Sequence, residues 1–295
     1  MAEPRTTMTF DVDGLTIAAR AAGPMTSNKP LIAALHGGTY TGHYFDVAGS
    51  THGSLLDIAA ASGYPVVAFD RPGYGGSSAL APTENTFDRH AELLAIATAQ
   101  AVARSGATSV LLLGHSIGGM IALMIATRDT GLPLIGVATA GMGAVIRRGG
   151  AADGMATLPI DETVDLPYPM RDQIMFGPEF TYSKEGVEQA HTSYAPVPVR
   201  ELFQAPQWAD DHLPSLAPKL RVPLHNALAE YDALWDSTAE NVARFAAMFT
   251  AAPFVEAGIA RNTGHSIDHH TLGCALHLRQ IAFAEECAVW DRQNR

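Results

Sequence analysis

Lysine is nearly absent from this chain. It occurs three times (Lys29, Lys184, Lys219) among 19 Lys and Arg, against 30 Asp and Glu, for a formal net charge of −11. So acidic a protein lacks the cations needed to neutralise phosphates, which argues against general nucleic-acid binding. Cysteine is scarce too: Cys274 and Cys287 both fall in one expected C-terminal helix. Thirteen helical residues at ~1.5 Å each would separate them by about 20 Å, beyond the ~7 Å Cα limit of a disulfide, so two reduced thiols are expected. No apolar run reaches the ~18 residues needed to cross a membrane. The N-terminal "MAEPRTTMTFDVDG" has no apolar stretch of the kind a secretory leader carries. These absences lead to the expectation of a cytoplasmic protein with no membrane or nucleic-acid partner.

What the sequence does have is core material: 47% of its 295 residues are hydrophobic. Short apolar runs alternate with helix-length amphipathic stretches, the pattern of an α/β protein whose parallel sheet is covered by helices. "MTFDVDG" and "LTIAARAAG" alternate with period two around Asp13-Gly14, predicting an antiparallel edge hairpin. "PLIAALHGG", Val66 to Phe69, "SVLLLG", "LPLIGVATAG", "VPLHNALAEYD" and "APFVEAGIARN" supply further strands. "TFDRHAELLAIATAQAVARSG" predicts a helix stopped by Gly106; "GMIALMIATRD" and "TAENVARFAAMF" predict two more.

The alternation breaks between Val145 and Leu220, where prolines and aromatic residues are frequent and no clear strand is visible. So long an irregular stretch is usually functional. We expect an insertion acting as a lid over residues 146–220, between core segments 1–145 and 221–295. The alternative is a second small domain with its own core.

The tetrapeptide G-H-S-I occurs twice, in "LLLGHSIGGM" and in "RNTGHSIDHH". The first copy is a G-x-S-x-G motif that directly follows the strand "SVLLL" and directly precedes the helix "GMIALMIA". A sharp strand-to-helix turn leaves little room beside its central residue, so glycine flanks it. The hydroxyl is then held at a helix N-terminus, which marks Ser116 as a candidate nucleophile.

With these motifs the sequence resembles the α/β-hydrolase fold family, in the branch with a lid between strands six and seven. The resemblance covers nearly the whole chain. It implies a mostly parallel eight-stranded sheet with helices on both faces. His36-Gly37-Gly38 resembles the family's oxyanion-hole loop, implying the Gly38 and Ile117 N–H groups as donors. Asp70-Arg71-Pro72-Gly73-Tyr74-Gly75-Gly76-Ser77 resembles a loop with a structural role. The second G-H-S-I sits where the family places its base, which implies His265 in that role, with His115 and Ser266 as bystanders. Serine at the elbow argues against the dehalogenases and epoxide hydrolases of this fold, which have Asp there.

Three rivals remain beside His265. His269 or His270 could be the base, and His265, Asp268 and His269 could hold a metal. Asp268 is expected instead to cap the following helix, and no metal is expected. A base of this kind needs a carboxylate. Asp232, in "ALAEYDALWD", aligns with the family's turn after the seventh strand, although Ala229 replaces its glycine; Asp236 and Glu230 are the alternatives. The order Ser116, Asp232, His265 matches that of the family.

A substrate pocket is expected from His36, Thr39, His115, Met142, Phe176, Tyr194, Trp208 and Trp235, with the two tryptophans flanking the entrance. Arg147 and Arg148 either meet an anionic substrate group or form a solvated pair. The expectation is a serine hydrolase of the carboxylic-ester or thioester class, acting on a medium-sized apolar small molecule without a cofactor, as a monomer or homodimer. The same triad could instead serve acyl transfer, C–C cleavage or lyase-type tailoring of a bacterial natural product. A ligand-binding receptor with vestigial catalysis is the third reading.

Overall fold

The computed structural model describes residues 5–46, 54–147 and 158–294. In chain order the elements are β1 (Thr6–Val12), β2 (Leu15–Ala22), β3 (Leu31–Leu35), α1 (Leu55–Ala61), β4 (Val66–Phe69), α2 (Phe87–Ser105), β5 (Val110–His115), α3 (Ile117–Ala126) and β6 (Leu134–Ala140). There follow β7 (Thr163–Val164), α4 (Tyr168–Met175), α5 (Lys184–His191), β8 (Val197–Pro198), α6 (Val199–Asp211) and α7 (Leu213–Leu216). The chain ends with β9 (Leu224–Ala229), α8 (Ala239–Ala247), β10 (Val255–Ala260) and α9 (Gly273–Asn294).

Eight of these strands form one sheet in the order β1-β2-β4-β3-β5-β6-β9-β10. The pairs β1–β2 and β2–β4 are antiparallel and the rest are parallel. Asp13 and Gly14 form the first hairpin's two-residue loop with φ of 53° and 77°, the paired positive values of a type I′ turn. Helix α2 begins at Thr86, whose side chain accepts from Arg89 N, and stops at Gly106 with φ 67°, a left-handed residue that glycine takes without penalty.

The near-continuous apolar strands follow from burial on both faces. Leu31, Ala33 and Leu35 of β3, with Val110 and Leu112 of β5, join the apolar cluster under α2 and α3. Their alternates Ile32, Ala34, Leu111 and Leu113 join the cluster under α1 and α9. Cys274 and Cys287 both lie in α9 and are unpaired. Among the described residues no helix is long and apolar enough to cross a membrane.

The segment between β6 and β9 differs from the irregular stretch expected of it. Its described part is largely helical, with β7 and β8 pairing antiparallel. The prolines that hid the helices from view include Pro169 and Pro214 in the first turns of α4 and α7, where a missing N–H costs no helical bond. Among the described prolines of this segment, only Pro206 lies beyond the first turn of an α-helix, α6, and it has no N–H to give the Leu202 carbonyl. The end of this segment is not peripheral: Trp208, Leu213, Leu216 and Ala217 belong to the main apolar cluster.

Candidate active site

Ser116 closes β5 and opens α3 with φ 52° and ψ −121°. Non-glycine residues rarely adopt such a backbone, and it costs on the order of 1–3 kcal/mol. The turn is held by Ser116 N donating to Ala140 O at 2.8 Å and by Gly119 N donating to Ser116 O at 2.8 Å. Both flanking glycines are steric necessities. A Cβ on Gly114 would stand 2.4 Å from Gly118 O, and one on Gly118 would stand 2.0 Å from Leu35 O.

Two loops bring the other groups to this serine. His265, after β10, places Nε2 3.0 Å from Ser116 Oγ. Its Nδ1 lies 2.9 Å and 3.1 Å from the Asp232 carboxylate oxygens. Since a carboxylate can only accept, Nδ1 carries the proton, and bare Nε2 accepts from the serine hydroxyl. Asp232, on the turn after β9, is fixed by Leu234 N (2.9 Å) and Trp235 N (3.0 Å), both donating to Oδ1. Its main-chain oxygen accepts from Arg147 Nη1 at 3.0 Å. Arg147 thus braces the acid turn, whereas Arg148 lies outside the described residues.

Gly38 and Ile117 border the same cavity as Ser116, and neither N–H has an acceptor among the described residues. The loop carrying Gly38 is clamped from beneath by Arg71. Arg71 N donates to His36 Nε2 (3.0 Å), Arg71 Nε to His36 O (2.9 Å) and Arg71 Nη2 to Gly37 O (3.2 Å). Nη2 also pairs with Glu201 Oε2 of α6 at 2.7 Å, both side chains being wholly buried. Burial and the neighbouring Arg71 charge hold His36 well below the usual imidazole pKa. His36 is therefore neutral, its Nδ1–H donating to Gly37 O at 2.7 Å.

The remaining histidines near the loop have other partners. His115 Nε2 donates to His265 O at 3.0 Å, and burial, then the nearby His265, lowers its pKa to about 3. His270 Nδ1 donates to Ser266 O (2.8 Å), leaving Nε2 to accept from Gly264 N (2.8 Å) and Gly177 N (3.4 Å); burial lowers it to about 4. His269 Nε2 donates to Tyr44 O at 3.1 Å. Neither rival to His265 reaches Ser116. Asp268 does not cap a helix: its carboxylate accepts from Tyr44 Oη (2.7 Å) and His277 Nε2 (2.8 Å). Burial alone would raise Asp268, but the His277 bond and charge prevail and hold it at about 2. No cluster suited to a metal ion occurs among the described residues.

The cavity over Ser116 and His265 has a volume of about 80 Å³. The segment between β6 and β9 contributes Leu166, Arg171, Ile174, Met175 and Leu202 to its wall. Of the expected pocket residues, Thr39 lines it, with φ 65° and a buried hydroxyl that has no partner among the described residues. The others do not line it. His36 and His115 lie beneath the loops they hold, and Met142 is wholly buried. Phe176 packs on Tyr182 and His270, and Tyr194 packs on Tyr40. Trp208 (0% exposed) and Trp235 (2%) flank no entrance; such large apolar surfaces are worth most in the core. The residues missed had one signal in sequence: 171, 174 and 175 share a helical face. A larger cavity, about 560 Å³, lies at the β10 edge of the sheet and touches none of Ser116, His265 and Asp232.

The sequence pattern that defines the alpha/beta hydrolase family matches residues 32–275. The chain belongs to that family. Solved structures agree on the fold. An esterase from Thermogutta terrifontis, determined with malate bound, superposes with a TM-score of 0.65 at 15% identity, covering 98% of each chain. The thioesterase domain of the curacin biosynthetic pathway gives 0.63 at 17% identity, over 93% of this chain and 98% of the other. A Vigna radiata epoxide hydrolase mutant gives 0.66 at 14%, over 96% and 99%. No curated protein matches the sequence. Relatives this distant share the hydrolase fold, and their chemistries differ, so any choice among reactions has to come from the site.

Proposed function

We propose that this alpha/beta hydrolase is a serine hydrolase that cleaves an ester or thioester of a medium-sized, largely apolar molecule. The observation that carries the proposal is the unbroken chain Asp232–His265–Ser116, with contacts of 2.9 Å and 3.0 Å. Ser116 Oγ attacks the carbonyl carbon while His265 Nε2 takes its proton, and Asp232 stabilises the imidazolium. The Gly38 and Ile117 N–H groups receive the oxyanion. Collapse expels the alcohol or thiol, protonated by His265, and leaves an acyl group on Ser116. A water activated by the same histidine then releases the acid.

Residues 146–220 act as a lid in this reading. The apolar walls suit an apolar acyl chain, but about 80 Å³ is well short of the ~300–1,000 Å³ of a typical ligand site. A medium-sized substrate therefore enters only when α4 and α6 move away from the serine.

The test is intact mass after exposure to a fluorophosphonate, comparing wild type with Ser116→Ala, followed by an ester and thioester panel. The expected result is one adduct, present on wild type and absent from the variant, with turnover on the panel. A folded wild type that takes no adduct and turns over no ester would sink the proposal.

A further inference from the structure

Arg171 stands out on the cavity wall. It is 1% exposed, it lines the cavity beside Ser116 and His265, and its Nε–H has no hydrogen-bond acceptor among the described residues. Its other neighbours compensate its charge only in part. Nη2 pairs with Asp165, whose side chain is 73% exposed and so is screened by solvent. The guanidinium carbon lies 4.8 Å from the Tyr194 ring centroid, a contact that fixes the group without neutralising it. Asp172, the next carboxylate on α4, is engaged by His191 Nε2 at 3.0 Å and Tyr194 Oη at 2.9 Å. Apart from Thr39, Ser116 and His265, the remaining side chains of the wall are apolar, including Leu166, Ile174, Met175 and Leu202. A buried guanidinium with an unmet donor is costly unless something completes it. A planar fork of donors in an apolar pocket is matched by a planar anionic acceptor.

We propose that Arg171 is the specificity-determining residue of this site, and that the substrate is an ester or thioester carrying a carboxylate at the end of a short apolar chain. The inference rests on the serine-hydrolase reading for the word ester, but the anion site itself is testable without turnover. Arg171 binds the carboxylate while the apolar wall holds the methylenes between it and the scissile carbonyl. Leu166 and Leu202 deny water to the pair, which strengthens it.

The probes are the monomethyl esters of C4 to C6 dicarboxylic acids, each against the methyl ester bearing a terminal primary amide in place of the carboxylate. Calorimetric binding is measured on Ser116→Ala, with and without Arg171→Gln, and kcat/KM on the enzyme with its serine intact. At one chain length Ser116→Ala should bind the anionic ester at least ~10-fold more tightly than its amide, and Arg171→Gln should erase that preference. With the serine intact, the ratio of kcat/KM between the two esters should fall from above ~10 toward one, mainly through KM. Arg171→Lys, which keeps the charge and loses the fork, should retain part of the preference and covers the case in which the glutamine variant does not fold. Equal binding of acid and amide at every length would overturn the proposal, as would an equal loss for both in Arg171→Gln. A folded wild type that takes no fluorophosphonate adduct and turns over no ester would refute the hydrolase reading alone, because the binding arm would still judge the anion site.

Discussion

Glu201→Gln isolates one charge at the centre of the molecule. The side chain keeps its shape, and its remaining oxygen can still accept from Arg71 Nη2 and Tyr74 Oη, which lie 2.7 Å and 3.0 Å from the present Oε2. What disappears is the only carboxylate paired with Arg71 among the described residues. Stranding a wholly buried charge costs about 3–5 kcal/mol. At roughly 2 °C per kcal/mol for a chain of this length, Tm should drop by about 6–10 °C. The control sits one residue away on the same helix. Arg200 pairs with Asp161 at 2.6 Å, a contact as short as that of Glu201, but with side chains 28% and 60% exposed. Arg200→Gln should therefore cost no more than about 1 kcal/mol. Denaturant titration of both variants measures the difference. Activity supplies a second readout, because Arg71 also holds the His36 and Gly37 carbonyls. If Gly38 is the oxyanion donor of the proposed reaction, a displaced Arg71 would loosen it, and kcat should fall toward the ~10²-fold cost of losing such a contact. If Glu201→Gln and Arg200→Gln destabilised the fold equally, burial would not be what distinguishes these pairs, and the reasoning would fail.

Acid should destabilise the protein through its buried histidines. His115 and His270 are held at about 3 and about 4 by burial, below the ~6.5 of an unfolded imidazole. The unfolded chain therefore binds protons that the folded one refuses, so stability is complete above pH ~6.5 and falls as pH drops toward 4. Each such histidine contributes up to ~1.4 kcal/mol per pH unit. Urea titrations at pH 7, 5.5 and 4.5 should show this slope, and His270→Gln should lessen it by about one proton; a flat profile would count against neutral burial. The elbow glycines offer a steric test. Gly118→Ala, whose Cβ would meet Leu35 O at 2.0 Å, should cost about 3 kcal/mol or more. Gly258→Ala in β10, with nothing within 4 Å, should change Tm by no more than about 2 °C; similar melting of the two variants would contradict the packing described at the elbow.

Features set by near neighbours in the chain were legible from the sequence alone. Period-two alternation and apolar runs located the eight strands, because a strand buried on both faces has to be apolar throughout. Asp13-Gly14 and Gly106 announced their turns because positive φ is a local demand. The glycines around Ser116 were legible as a motif, but only Gly114 is demanded by the turn itself, where its Cβ would meet Gly118 O; Gly118 is demanded by Leu35 O of β3, a contact that only the tertiary structure makes. The helices between β6 and β9 were not legible, since prolines in first turns resemble breakers until the turn is seen.

The tertiary structure alone decided which side chains face the cavity. Trp208 and Trp235 promised a pocket by size and chemistry, yet both are buried in the core, because apolar character fixes burial and leaves the choice of surface to packing. His115 looked idle and proved to hold the His265 carbonyl across 150 positions of chain. Arg71 and Glu201 lie 130 positions apart and form a buried pair. Arg171 carries no motif at all. The role proposed for it rests on a largely apolar wall, an exposed partner and a donor unmet among the described residues, and these come together only once α4 is laid over the serine.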